Sequence, residues 1–141
     1  MSRIRISLLA LLLGLSGACG SYSAPSGMQN PPPPAAAAND ISIVVGASSL
    51  TTTAFSPNPK VVSLGGNPSV TVRWVNKDIT GGNYAEGSAT VHNIVSDVGA
   101  FTGSGNLGGN GTYSVSLTTA GSYPYHCAIH PNMVGTITLN P

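Results

Sequence analysis

From residue 40 to the C-terminus, apolar residues come in short runs of Val, Ile, Thr and aromatic residues that Gly, Asn and Pro break every few positions. Nowhere do they recur at a helical period, which excludes a helical fold. Val70, Val72 and Trp74 alternate with Thr71 and Arg73, and Tyr113, Val115 and Leu117 alternate with Ser114 and Ser116. Successive side chains of a strand point to opposite faces, so each run has one buried face. Strands are predicted over residues 41–47, 61–64, 69–76, 90–96, 111–117, 121–127 and 134–139, with a further short one at 52–55. Seven or eight short strands in about 100 residues predict an all-β, antiparallel two-sheet sandwich. Trp74, the only Trp, falls on the inward face and reads as core. Residues 80–88 and 97–111 are rich in Gly and read as surface connections.

The first 39 residues are built differently. Arg3 and Arg5 precede a nearly continuous apolar run at residues 6–15, which reads as a secretory signal peptide over residues 1–18. The run is too short for a comfortable membrane-spanning helix. Leu15-Ser16-Gly17-Ala18-Cys19 resembles the lipobox of bacterial lipoproteins, in which a Cys behind small residues becomes the lipid-modified N-terminus. This makes Cys19 the candidate lipidation site; ordinary secretory cleavage after Ala18 or Ala24 is the alternative. Residues 19–39 then read as an anchor Cys and a tether, with Pro31-Pro32-Pro33-Pro34 followed by four Ala residues. About 20 residues of extended polyproline II reach at most ~60 Å.

Residues 40–141 therefore form one domain, large enough for one modest core. The whole chain has 141 residues, with 5 Lys and Arg against 4 Asp and Glu. Without the signal peptide the balance is −1. No large field of either sign is present, and nucleic acid is excluded as a partner. Asp97 and Glu86 stand isolated, and no Ser-His-Asp set, paired carboxylates or phosphate-cradling loop is found.

The chemistry-bearing stretch is Tyr125-His126-Cys127-Ala128-Ile129-His130-Pro131-Asn132-Met133-Val134-Gly135. It puts a thiolate, an imidazole and a thioether within seven residues, between two predicted strands. Soft sulfur with imidazole suits copper, and two His with one Cys and a weak axial Met is the blue-copper ligand set. His92, on a different strand, supplies the second imidazole. The loop folds His130 and Met133 back towards Cys127, while His92 clamps from outside. Alternation turns His126 away from Cys127, so His126 reads as a surface group and not a fifth ligand.

With these residues in view, the sequence resembles the cupredoxins, small blue-copper electron carriers, and within them the plastocyanin and amicyanin branch. Cys-x-x-His-x-x-Met is the amicyanin spacing. The resemblance spans nearly all of residues 40–141 and includes Val72-Arg73-Trp74-Val75-Asn76-Lys77-Asp78, Phe101-Thr102-Gly103-Ser104-Gly105-Asn106-Leu107 and Gly121-Ser122-Tyr123-Pro124-Tyr125. It implies a cupredoxin-like Greek-key sandwich and ligation of one copper ion, cycling between Cu(II) and Cu(I), by His92, Cys127, His130 and Met133. It also implies that the Asn93 side chain ties the two ligand-bearing segments together. His126 stands where plastocyanins commonly carry an aromatic residue, and four scattered acids cannot make a plastocyanin-type acidic patch.

The functional expectation is a one-electron carrier and not an enzyme, shuttling between redox proteins in the cell envelope. It is secreted across the inner membrane, periplasmic or at the cell surface, and lipid-anchored. A donor and an acceptor are expected to dock on apolar surface around His130, with the carrier a monomer. The alternative is a copper carrier or buffer that delivers the ion to an envelope copper enzyme. A metal-free adhesive sandwich is a third reading, which the four-ligand constellation disfavours. A dinuclear copper site is disfavoured because Cys127 is the domain's only Cys.

Overall fold

A computed structural model describes residues 37–79 and 89–141. The signal peptide, Cys19, most of the tether and the 80–88 connection with Glu86 lie outside the described residues. Eight strands run β1 (Asp40–Ile43), β2 (Phe55–Ser56), β3 (Lys60–Ser63), β4 (Val70–Asn76), β5 (Val95–Ser96), β6 (Thr112–Leu117), β7 (Gly121–His126) and β8 (Val134–Asn140). They form two four-stranded sheets, ordered β2-β1-β4-β6 and β3-β8-β7-β5. Among the described residues, no helix is long and apolar enough to cross a membrane.

Between the sheets lies one core. Ile41 and Ile43 of β1, Val72 and Trp74 of β4, Val115 and Leu117 of β6, Tyr125 of β7 and Ile137 and Leu139 of β8 all belong to it. Trp74 is fully buried, ringed by Tyr125, Tyr113 and Phe101 at centroid distances of 5.1, 5.7 and 5.7 Å. Burying about 200 Å² of such a side chain at ~25 cal/mol per Å² contributes at most about 5 kcal/mol. The alternation in β4 and β6 thus marks the inward faces correctly.

The sheets are mixed, which corrects the expected antiparallel pairing throughout. β1 runs parallel to β4, with Ile41 beside Trp74, and β3 runs parallel to β8, with Val62 beside Leu139. Alternation reports which face a residue takes and carries no record of strand direction. Parallel neighbours need a long crossover, and the chain between β1 and β4 supplies one by leaving for β3 in the other sheet.

Three strands are shorter than predicted, among them the one expected at residues 52–55, which is confined to Phe55–Ser56. Gly46, in the left-handed region at φ 74°, turns the chain into a one-turn 3-10 helix at Ala47–Ser49, so β1 stops at Ile43. Residues 90–94 do not join a regular strand. His92 pairs with Leu107 through N–H to carbonyl bonds of 3.1 and 2.6 Å, and the Ser104 N–H donates to Ile94 O. The Gly-rich 97–111 stretch is therefore partly a packed flank of the 92–94 segment, with Leu107 buried.

Candidate metal centre

Cys127 follows the last residue of β7 and Met133 precedes the first of β8. Those strands are antiparallel neighbours, so their register fixes both ends of the loop between them. The Cys127 N–H donates to Met133 O at 3.1 Å and the Met133 N–H to His130 O at 2.9 Å. His130 is thereby folded back over the loop's base. His92 arrives from the other side, held by its bridge to Leu107.

The three donors converge. His92 and His130 place their Nδ1 atoms 3.2 Å apart, and each lies 3.8 Å from Cys127 Sγ. A point in that plane ~2.0 Å from both nitrogens falls about 2.2 Å from the sulfur, close to the ~2.0 and ~2.3 Å bonds of a zinc-sized ion to imidazole and thiolate. The residues therefore fit a first-row metal ion with imidazole and thiolate donors. Among the described residues, no other three His, Cys, Asp or Glu side chains gather in this way. His92 and Cys127 are fully buried and His130 is half-buried. Met133 is fully buried within the same hydrophobic cluster as Cys127.

Burial opposes the charged form of the Cys127 thiol. The His92 ring, the Asn93 and His130 backbone and the His130 ring outweigh it and push the thiol down to about 6. Burial likewise opposes the His92 imidazolium, but Cys127 and Asp78 outweigh it and His92 is raised. A thiolate ready at neutral pH is what soft-metal binding requires.

Asn93 does link the two segments. Its Oδ1 accepts the Ala128 N–H at 2.8 Å, and its own N–H points at Cys127 Sγ at 3.5 Å. His126 lies outside the cluster, on the outward side of β7, where its Nδ1 pairs with the Asp97 carboxylate. Asp97 is therefore not isolated in three dimensions.

One residue went unread in the sequence. Asp78 is fully buried, and its Oδ2 lies 2.9 Å from Nε2 of His92, on the far side of the ring from Cys127. The signal was present: Val72, Trp74, Asn76 and Asp78 continue one period-2 series past the end of β4, and all four are buried.

The fold and donor set define a class: an all-β sandwich with a buried thiolate-imidazole metal centre at one end. The model of the copper binding proteins of the plastocyanin/azurin family matches residues 43–140, and the chain belongs to that family. Copper is the ion this family binds. Among solved structures, a purple cupredoxin from Nitrosopumilus maritimus is similar at 26% identity and a TM-score of 0.56, over 72% of this chain and 98% of that one. A variant of amicyanin in its reduced Cu(I) form matches at 21% identity and a TM-score of 0.52, over 74% of this chain and 86% of that one. A search of curated protein sequences found no significant match.

Proposed function

We propose that the protein is a one-electron carrier in which His92, Cys127 and His130 would hold one copper ion, with the Met133 thioether as a further ligand. The observation that carries this reading is the buried triangle of two imidazole nitrogens and one sulfur, held from two separate segments. Copper bound there supplies a Cu(II)/Cu(I) couple.

The chain's own residues do the rest. The loop-base hydrogen bonds and Asn93 hold the donors in one arrangement for both oxidation states, so little reorganisation accompanies transfer. The core around Cys127 and Met133 keeps water away. The half-buried His130 is the donor nearest solvent, and its neighbour Ile129 is 44% exposed, with Ala128 and Pro131 also exposed. That apolar surface is where a redox donor and acceptor would dock. The charged leader, the lipobox-like stretch and the Pro-rich segment support secretion, a Cys19 lipid anchor and a tethered domain in the cell envelope.

Voltammetry of the copper-loaded full chain in the presence of a copper chelator tests the reading. A carrier of electrons gives a reversible one-electron wave and keeps its copper through repeated cycles. Transfer of the ion to the chelator on reduction would favour the copper-delivery alternative.

A further inference from the structure

Among the described residues, Asp78 and Lys60 are the Asp, Glu, Lys or Arg side chains that are buried. The Asp78 carboxylate sits at a junction of three segments. Oδ1 accepts the Gly46 N–H at 2.7 Å and Oδ2 lies 2.9 Å from His92 Nε2. Its backbone N–H donates to Asn76 Oδ1 at 2.9 Å, and its carbonyl accepts the Thr90 N–H at 3.0 Å. Asn76, also fully buried, donates from Nδ2 to Thr90 O and Leu107 O at 2.8 and 2.9 Å. Asn76 and Asp78 thus hold the backbone just before His92 and that of its bridge partner Leu107, and Asp78 also holds its ring.

A buried carboxylate is costly unless its oxygens are satisfied, and here both have partners. An imidazole that turns one nitrogen to a metal is set in place by what its other nitrogen bonds. We propose that Asp78 is a positioning residue for the metal centre: it keeps the His92 proton on Nε2 and the Nδ1 lone pair turned towards Cys127 and His130, and its buried negative charge favours the oxidised ion. The inference rests on the copper reading. With a thiolate and this carboxylate close by, Cu(II) is formally balanced while Cu(I) leaves a net negative charge in a poorly solvated place. The two His ligands are consequently unequal, His92 clamped from behind and His130 open to solvent at its rim.

The test uses the full chain. NMR of the Cu(I) form should show a His92 Nε2–H that exchanges with water far more slowly than the His130 ring N–H. Asp78→Asn should raise the reduction potential, so that the Cu(I)/Cu(II) ratio at a fixed applied potential increases at least tenfold, which is 59 mV for a one-electron couple. Asp97→Asn removes an equal charge from the surface and should change that ratio less than threefold. Equal shifts in the two variants, or a His92 ring proton in the Cu(I) form that exchanges as fast as that of His130, would overturn the assignment. If Asp78→Asn does not fold, the exchange rate of the His92 ring proton in the unaltered Cu(I) chain decides. Failure of the unaltered chain to form a thiolate-copper centre would refute the copper reading itself, a result separate from either of these.

Discussion

Gly135 is opposite Tyr125 in the β7–β8 register, and the Tyr125 ring lies directly over it. A Cβ added at Gly135 would sit 2.7 Å from Tyr125 Cε2 and closer still to Cζ and the hydroxyl oxygen. Carbon atoms pack at ~3.5–4.0 Å, so the overlap is about 1 Å or more at three atoms. Tyr125 has no room to retreat, because Phe55 and Trp74 meet its ring edge-on at 4.9 and 5.1 Å. Overpacking commonly costs ~1–3 kcal/mol where neighbours can give. Since these neighbours are pinned, Gly135→Ala should cost about 3 kcal/mol, or roughly 12 °C or more in Tm for a domain of this size. Denaturation in urea and by heat measures it. Tyr125→Phe should give little rescue, because Cζ and Cε2 remain. Tyr125→Leu combined with Gly135→Ala should be less destabilising than the two single costs together, by at least ~1 kcal/mol. Additive costs, or a loss below about 1 kcal/mol for Gly135→Ala alone, would refute the argument.

Further outcomes follow from the same geometry. Asn93→Ala removes the acceptor of the Ala128 N–H and should cost about 1 kcal/mol and speed copper loss to a chelator, whereas Asn93→Asp, which keeps an acceptor oxygen, should lose less; identical behaviour would count against the tie. Arg73 donates to both Asp40 oxygens, at 2.8 and 2.7 Å, and holds this carboxyl below its ordinary value of 3.8. A lowered carboxylate adds stability that is present above the ordinary value and lost as pH falls through the folded one, so Asp40→Asn should destabilise near neutrality and match the unaltered chain in strong acid by denaturant titration. Cys19→Ser should move the protein from the membrane to the soluble envelope fraction, and an unaltered distribution together with an unacylated mass would reject the anchor.

The inward faces were legible because burial imposes a period-2 pattern, and Val70, Val72 and Trp74 record it plainly. The same period ran on through Asn76 to Asp78, but the expected strand ended at Asn76 and a carboxylate beyond it reads as loop, so the support behind His92 was hidden in a visible series. Strand direction left no such trace: β1 and β3 look alike in sequence whether their neighbours are parallel or antiparallel. The loop from Cys127 to Met133 was legible because its donors are close in sequence and its ends lie on paired strands. The bridge from His92 to Leu107 was not, since its backbone hydrogen bonds require no particular side chain and Leu107 is surrounded by Gly.

A thiolate bound to copper between two imidazoles is tested most directly by the visible absorption spectrum of the Cu(II)-loaded full chain. The loaded chain should hold one copper and show an intense visible thiolate-to-copper charge-transfer band that disappears in Cys127→Ser. A chain shown to carry one Cu(II) ion without that band would contradict the proposed centre.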